Sequence, residues 1–323
     1  QPRETTLCLA CLRFSLANLY RSLRSPVITV VMPPPFPLGG YKIQEITRTQ
    51  LLDAIHCAPV VHEQEGAVLV RVHESAVLKY GNGVSLAEAR NIRFVRKRTR
   101  IRVPTIFDAW EERSEIYNGE EQVVGYLLME FIDGNPLCDI WPTLTNEVRN
   151  SIFAQIADYL RAIHTIEMER PGPVGGGVSR GPLFTDYGAG PFLTAQHMED
   201  WFNERLLVCK EFNRVSYDHP GFSGKFRKLV MCHMDVAPRN MILDRDGKIW
   251  LLDWAQSGGY PALFETAALL RTGNREFTQG LLKYIDDYQE EAKDLLKIGF
   301  ALTTAAWTKP SGHVPQITWS NRT

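Results

Sequence analysis

At 323 residues the chain is long enough for two lobes, each with its own core. Its 36 Lys and Arg balance 37 Asp and Glu, which argues against nucleic acid or an anionic membrane as partner, and 44% hydrophobic residues is ordinary for a globular enzyme. No run reaches the roughly 20 apolar residues of a membrane-spanning helix, and the six scattered cysteines form no compact framework, so reduced thiols in a cytoplasmic protein are expected.

Residues 1–40 read as an extension that ends in a Pro/Gly linker from Met32 to Gly40. Arg3, Arg13, Arg21 and Arg24 against Glu4 give its start the composition of a transit peptide, so a mitochondrial address is the alternative; Met32 is a plausible second start. Cys8 and Cys11 form a C-x-x-C with no second pair at zinc-ribbon spacing. A helix-like stretch at 44–56 precedes three short strands at 58–62, 67–73 and 76–80. Ser85 opens a helix as an S-x-x-E capping box with Glu88, and the basic run from Arg96 to Arg102 reads as its cationic carboxy-terminal end rather than as a nucleic-acid patch. Pro104 starts an extended segment and residues 123–132 a buried strand.

From there the pattern turns helical. Residues 144–166 carry Phe153, Ile156, Tyr159, Leu160 and Ile163 on one face. A glycine-rich loop spans 171–192, long enough to suggest function. Helical patterns return at 195–212 and 262–308, with a strand, a loop and a hairpin between them from His233 to Asp253. The expected architecture is α+β, a protein-kinase-like two-lobed fold: a sheet-containing N-lobe at 41–132 for the nucleotide, and a mostly helical C-lobe at 133–323 with the catalytic loop and acceptor site.

His233, Asp235, Asn240 and Asp253 lie in the order H-x-D, four residues, N, then two apolar strands ending in Asp. Phosphoryl transfer needs an oriented acceptor and cations on the phosphate oxygens, and this spacing suits both needs. Asp235 on a tight loop is placed to accept a hydroxyl proton. Asn240 and Asp253 offer hard oxygen ligands for Mg²⁺. His233, on an apolar strand, reads as a packed, hydrogen-bonded residue. Lys79 at the end of AVLK is a candidate anchor for the α- and β-phosphates of ATP, held by Glu88 on the next helix. The competing readings are a strand-end surface lysine and a capping glutamate. Glu130 and Ile132, where the chain crosses between lobes, are candidates to meet the adenine edge through their backbone groups. No G-x-G-x-x-G precedes Lys79, and no G-x-x-x-x-G-K-[ST] occurs, which excludes a P-loop ATPase.

With these motifs placed, residues 58–270 resemble the fungal branch of the aminoglycoside phosphotransferase and choline kinase-like family, which shares the protein-kinase fold. The stretches that carry the likeness are AVLKYG, SLAEARNIRFV, YLLMEFIDGNPL, GPF-x-T and HMDVAPRNMILDRDGKIWLLDWAQSGGYPALFE. The resemblance implies Asp235 as catalytic base, Asn240 and Asp253 as Mg²⁺ ligands, and Lys79 with Glu88 as the phosphate anchor. The bacterial antibiotic kinases usually carry a histidine two positions after the aspartate. Ala237 stands there instead, with Arg239 nearby as a possible replacement cation.

The acceptor expected is a hydroxyl on a small molecule. Only eleven residues separate Asp253 from Glu265, too few for a protein-kinase activation loop. Residues 139–232 hold eleven Asp/Glu and ten Lys/Arg, a balance that gives a polycationic acceptor no acidic cleft. The alternative is a pseudokinase, a nucleotide-binding or interaction module without turnover. The sequence leaves oligomeric state open.

Overall fold

The computed structural model describes residues 36–115 and 121–311; the amino-terminal arginines, the Cys8–Cys11 pair and Met32 lie outside them. Helix α1 (Arg48–Ile55) is followed by β1 (Val60–Gln64), β2 (Ala67–His73) and β3 (Ala76–Gly81), then α2 (Leu86–Arg98), β4 (Ile106–Glu115) and β5 (Glu121–Glu130). The five strands form one antiparallel sheet in the order β1-β2-β3-β5-β4. Period-two alternation divides its side chains. Ala76 and Leu78 join Tyr126 and Leu128 in a core that also contains Leu51 and Ala54 of α1, whereas Val77, Leu127 and Met129 share a core with Ile92 and Val95 of α2. Lys79, two residues after Val77, therefore emerges on the α2 face.

The capping box sits earlier than the sequence suggests. Thr47 and Gln50 cap α1 reciprocally, Gln50 Oε1 accepting the Thr47 N–H at 2.9 Å. Ser85 does cap α2, through the Ala87 N–H at 3.2 Å, but Glu88 turns its carboxylate to Lys79 instead of back to the cap. Burial decides this: a carboxylate 1% exposed needs a cation more than it needs a second N–H. The basic run is spent on local contacts. Arg96 donates to Val103 O, Arg98 stacks 3.7 Å over Phe94, and Arg102 pairs with Asp244.

After the crossover come β6 (Gly134–Pro136), the short α3 (Leu137–Ile140), α4 (Asn146–His164) and α5 (Ala195–Glu211). Strand β7 (Val230–Cys232) leads into the β8 (Met241–Asp244) and β9 (Ile249–Leu251) hairpin, and β10 (Gly258–Tyr260) returns to pair with β7. Helices α6 (Leu263–Leu270), α7 (Arg275–Leu281), α8 (Gln289–Leu296) and α9 (Gly299–Leu302) complete the lobe. The apolar face expected of α4 is buried at Phe153, Ile156, Leu160 and Ile163, while Tyr159 reaches across to donate to Ile249 O at 2.9 Å. A second core gathers Phe184, Phe202, Phe222, Phe226, Tyr260 and Phe264. No helix among the described residues is long and apolar enough to cross a membrane. The fold is the kinase-like α+β arrangement that the motifs imply.

Candidate active site

The loop between β7 and β8 is held from several sides. The His233 ring, fully buried and edge-on to Trp254, bonds Leu252 O through Nε2 at 3.0 Å and accepts the Asp235 N–H on Nδ1 at 3.2 Å. A carbonyl on one side and an N–H on the other place its proton on Nε2. It is the packed, bonded histidine anticipated from its apolar strand. Ser257 Oγ donates to His233 O at 2.9 Å. Glu265, at the start of α6, accepts the N–H of His233 at 2.6 Å and of Met234 at 2.9 Å. Met234 and Asp253 both adopt left-handed backbone, φ 71° and 57°, conformations uncommon outside glycine that the surrounding bonds must maintain.

Asp235 and Asn240 meet in this loop. Asn240 Nδ2 donates to Asp235 O at 2.9 Å and to Asp235 Oδ2 at 2.8 Å. The other carboxylate oxygen of Asp235 pairs with the half-exposed guanidinium of Arg239. Asn240 O accepts the Leu252 N–H at 2.9 Å, which brings Asp253 in one residue further on.

Asp253 joins the N-lobe pair. Lys79 Nζ lies 3.0 and 2.8 Å from the Glu88 oxygens and 3.3 Å from Asp253 Oδ1. Burial alone would lower the Lys79 pKa, but the two carboxylates hold it raised. Burial, with Asp253 adding to it, pushes the Glu88 carboxyl up against the pull of Lys79. Two carboxylates thus share one ammonium, leaving excess negative charge. Asn240 Oδ1 accepts no hydrogen bond among the described residues, and Asp253 Oδ2 faces no cation there. Hard oxygens with surplus negative charge fit a divalent ion such as Mg²⁺.

Glu130 and Ile132 sit at the crossover, where no hydrogen bond among the described residues joins them to that cluster. The Glu130 carboxylate accepts from Thr105 N and Oγ1, tying down the start of β4. The backbone N–H of Ile132 has no partner among the described residues. In place of a glycine-rich loop, the Glu65-Gly66 turn rests on Gly81–Gly83: Gly83 N donates to Gly66 O at 2.8 Å, and a Cβ on Gly81 would lie 2.1 Å from that oxygen.

Two residues central to the site escaped sequence reasoning. Glu265 entered only as the end of an interval. Asn91, fully buried on α2 three residues after Glu88, donates to Trp254 O at 2.9 Å and Ser257 O at 2.8 Å, and accepts the Val174 N–H at 2.9 Å. It joins the Glu88 helix to the Asp253 loop and to the glycine-rich loop. Its available signal was a lone amide on an apolar helix face. Asn91→Leu is expected to leave Ser257 O and the Val174 N–H without a partner among the described residues, Trp254 O keeping only the Ser257 N–H, and to cost about 2–4 kcal/mol, read as a lower urea midpoint with an unchanged slope. An unchanged midpoint would contradict that bracing role.

Wild-type aminoglycoside 2'-phosphotransferase-IIIa, in its GDP complex, superposes with a TM-score of 0.50 at 11% identity, over 76% of this chain and 82% of that one. Aminoglycoside phosphotransferase APH(4)-Ia gives 0.49 at 15% identity, over 76% and 86%. At such identities the likeness is one of fold. No curated protein sequence matches. The APH family model, described as the phosphotransferase enzyme family, matches residues 60–298, and the chain belongs to that family.

Proposed function

We propose that the chain is an ATP- and Mg²⁺-dependent phosphotransferase acting on a hydroxyl of a small molecule, with Asp235 as the catalytic base. The observation that carries this reading is the convergence of Lys79 on both Glu88 and Asp253, beside an Asp235 braced by Asn240. Lys79 anchors the α- and β-phosphates, and Glu88 holds its ammonium in place. Glu130 and Ile132 meet the adenine edge through backbone groups, and the unpartnered Ile132 N–H supports that role. Asn240 and Asp253 would hold Mg²⁺, which neutralises phosphate charge when bound. Asp235 orients the acceptor hydroxyl and takes its proton as the new oxygen–phosphorus bond forms and the bond to ADP breaks. Residues 41–132 serve the nucleotide and 133–323 the acceptor. The quoted motifs also resemble those of the fungal branch of the family.

Several features favour a small acceptor over a protein. The segment after Asp253 is short and built in, with Trp254, Ser257, Tyr260 and Phe264 all buried, so it has no free activation loop to offer. The charge balance of residues 139–232 argues against the polycationic acceptors of the neighbouring aminoglycoside kinases. Mg²⁺-dependent ADP release from ATP, measured on the purified chain, tests the reading. Nucleotide binding with no release at any acceptor concentration would favour the alternative, a pseudokinase.

The ion pair of Arg239 with Asp235 is what that alternative draws on, because an acceptor must share the carboxylate with a guanidinium. Under the enzyme reading, Arg239 supplies the cation that Ala237 lacks, beside the migrating phosphoryl group. Arg239→Ala is then expected to lower kcat about tenfold or more. Unchanged turnover would remove Arg239 from the reaction.

A further inference from the structure

Outside the phosphoryl-transfer residues, the glycine-rich loop, α5 and the segment after α9 line an open pocket of about 260 Å³. Tyr187, Trp201 and Trp307 supply aromatic walls, Lys309 lies on its lining, and Arg205 is its buried cation. Arg205 is only 6% exposed, yet no carboxylate lies within ion-pair distance of it among the described residues. Its Nη1 donates to Ala306 O at 3.2 Å, its Nε is buried with no partner, and its guanidinium sits 5.7 Å from the Trp201 ring centroid. Nη2 makes no hydrogen bond among the described residues. Burial lowers the Arg205 pKa, with Glu204 only partly offsetting it. Residues 295–323 contain no Asp or Glu to relieve the charge.

A buried guanidinium without an anion is costly, and native structures nearly always pair it. A packing role for the arginine stem explains burial but leaves the head unmatched. The rim adds a second observation. Tyr187 and Trp307 are 64% and 76% exposed with ring centroids 4.3 Å apart, a large apolar surface held in water beside the cation.

We propose that this pocket binds a small molecule that combines a planar ring with one oxyanion group, the oxyanion meeting Arg205 and the ring lying against Trp307. Size agrees: an engineered cavity of about 150 Å³ holds benzene, so the larger volume here leaves room for the charged group. Carboxylate and phosphate share the chemistry that Arg recognises. The proposal concerns binding alone and does not depend on turnover.

Titration of the nucleotide-free chain with benzoate, phenyl phosphate and benzamide, followed by saturation-transfer NMR, tests it. At least one of the two anions is expected to bind about tenfold tighter than neutral benzamide, the difference a charge-assisted bond supplies; the tighter one identifies the oxyanion. Arg205→Gln is expected to erase the preference for anion over amide. Trp307→Ala, an exposed rim change that leaves the melting temperature in place, is expected to weaken binding of whichever anion binds by about fivefold or more. Equal binding of anions and benzamide, absence of binding, or full affinity in Trp307→Ala would each overturn the proposal. If Arg205→Gln does not fold, the anion preference of wild type and the Trp307 variant decide the matter.

Discussion

Glu265→Ala is expected to be the most destabilising single change in the C-lobe, costing about 3–5 kcal/mol through two orphaned N–H groups and a cavity. Its carboxylate, 1% exposed, is the acceptor for the backbone N–H groups of both His233 and Met234, at the left-handed turn that aims Asp235. Against a total stability of about 5–15 kcal/mol for an ordinary domain, that is a large share. Urea denaturation reads it directly, and a midpoint within experimental error of wild type would sink the claim. Burial would push the Glu265 carboxyl up, but the His164 imidazole 3.8 Å away and the N–H donated by His233 hold it below the usual carboxylate range. A folded-state pKa below the unfolded value of about 4.3 gives stability that is present above that pH. It is lost as pH falls through the lowered folded value. Glu265→Gln, which keeps one acceptor oxygen, is expected to be milder and to flatten the acid limb of the stability profile.

Asp235→Asn is expected to lower kcat by about 10²–10⁴-fold, the range of a positioned general base, while leaving nucleotide affinity within about threefold of wild type. The separation has a physical basis. The substituted amide retains an oxygen for Asn240 Nδ2, so the loop keeps its brace. What is lost is the proton acceptor and a pair with the half-exposed Arg239, and such solvent-screened pairs contribute about 0–1 kcal/mol. The folded state is therefore nearly unaffected. Full turnover in the Asn variant would remove Asp235 from the role of base. A collapse in both affinity and melting temperature would assign it to structure instead.

The parts of this fold that were legible in the sequence are those with local signals. Period-two alternation placed the strands, and α4 was written in its apolar stripe. Lys79 was legible because its strand carries the alternation to its end. Glu88 was legible as the carboxylate that meets Lys79, and the competing capping role gives way because burial removes water from that carboxylate. The capping box at Thr47–Gln50 has too short a signal to stand out, because the helix-like pattern at 44–56 begins four residues before α1. Asn91 and Glu265 were not legible because their partners are backbone groups. Asn91 bonds carbonyls 163 and 166 residues away, and Glu265 bonds N–H groups 31 and 32 residues away. Backbone groups carry no residue identity, so no pattern announces them. Arg239 was flagged from proximity to Asp235 alone, and its guanidinium does pair with that carboxylate.

Calorimetric titration of ATP in Mg²⁺ and in EDTA asks whether Asn240 and Asp253 complete a Mg²⁺-nucleotide site with Lys79. Binding is expected to be about tenfold or more tighter with Mg²⁺, at least ~1.4 kcal/mol, and to be lost in Lys79→Ala. ATP affinity that is absent, or equal in Mg²⁺ and EDTA, would contradict it.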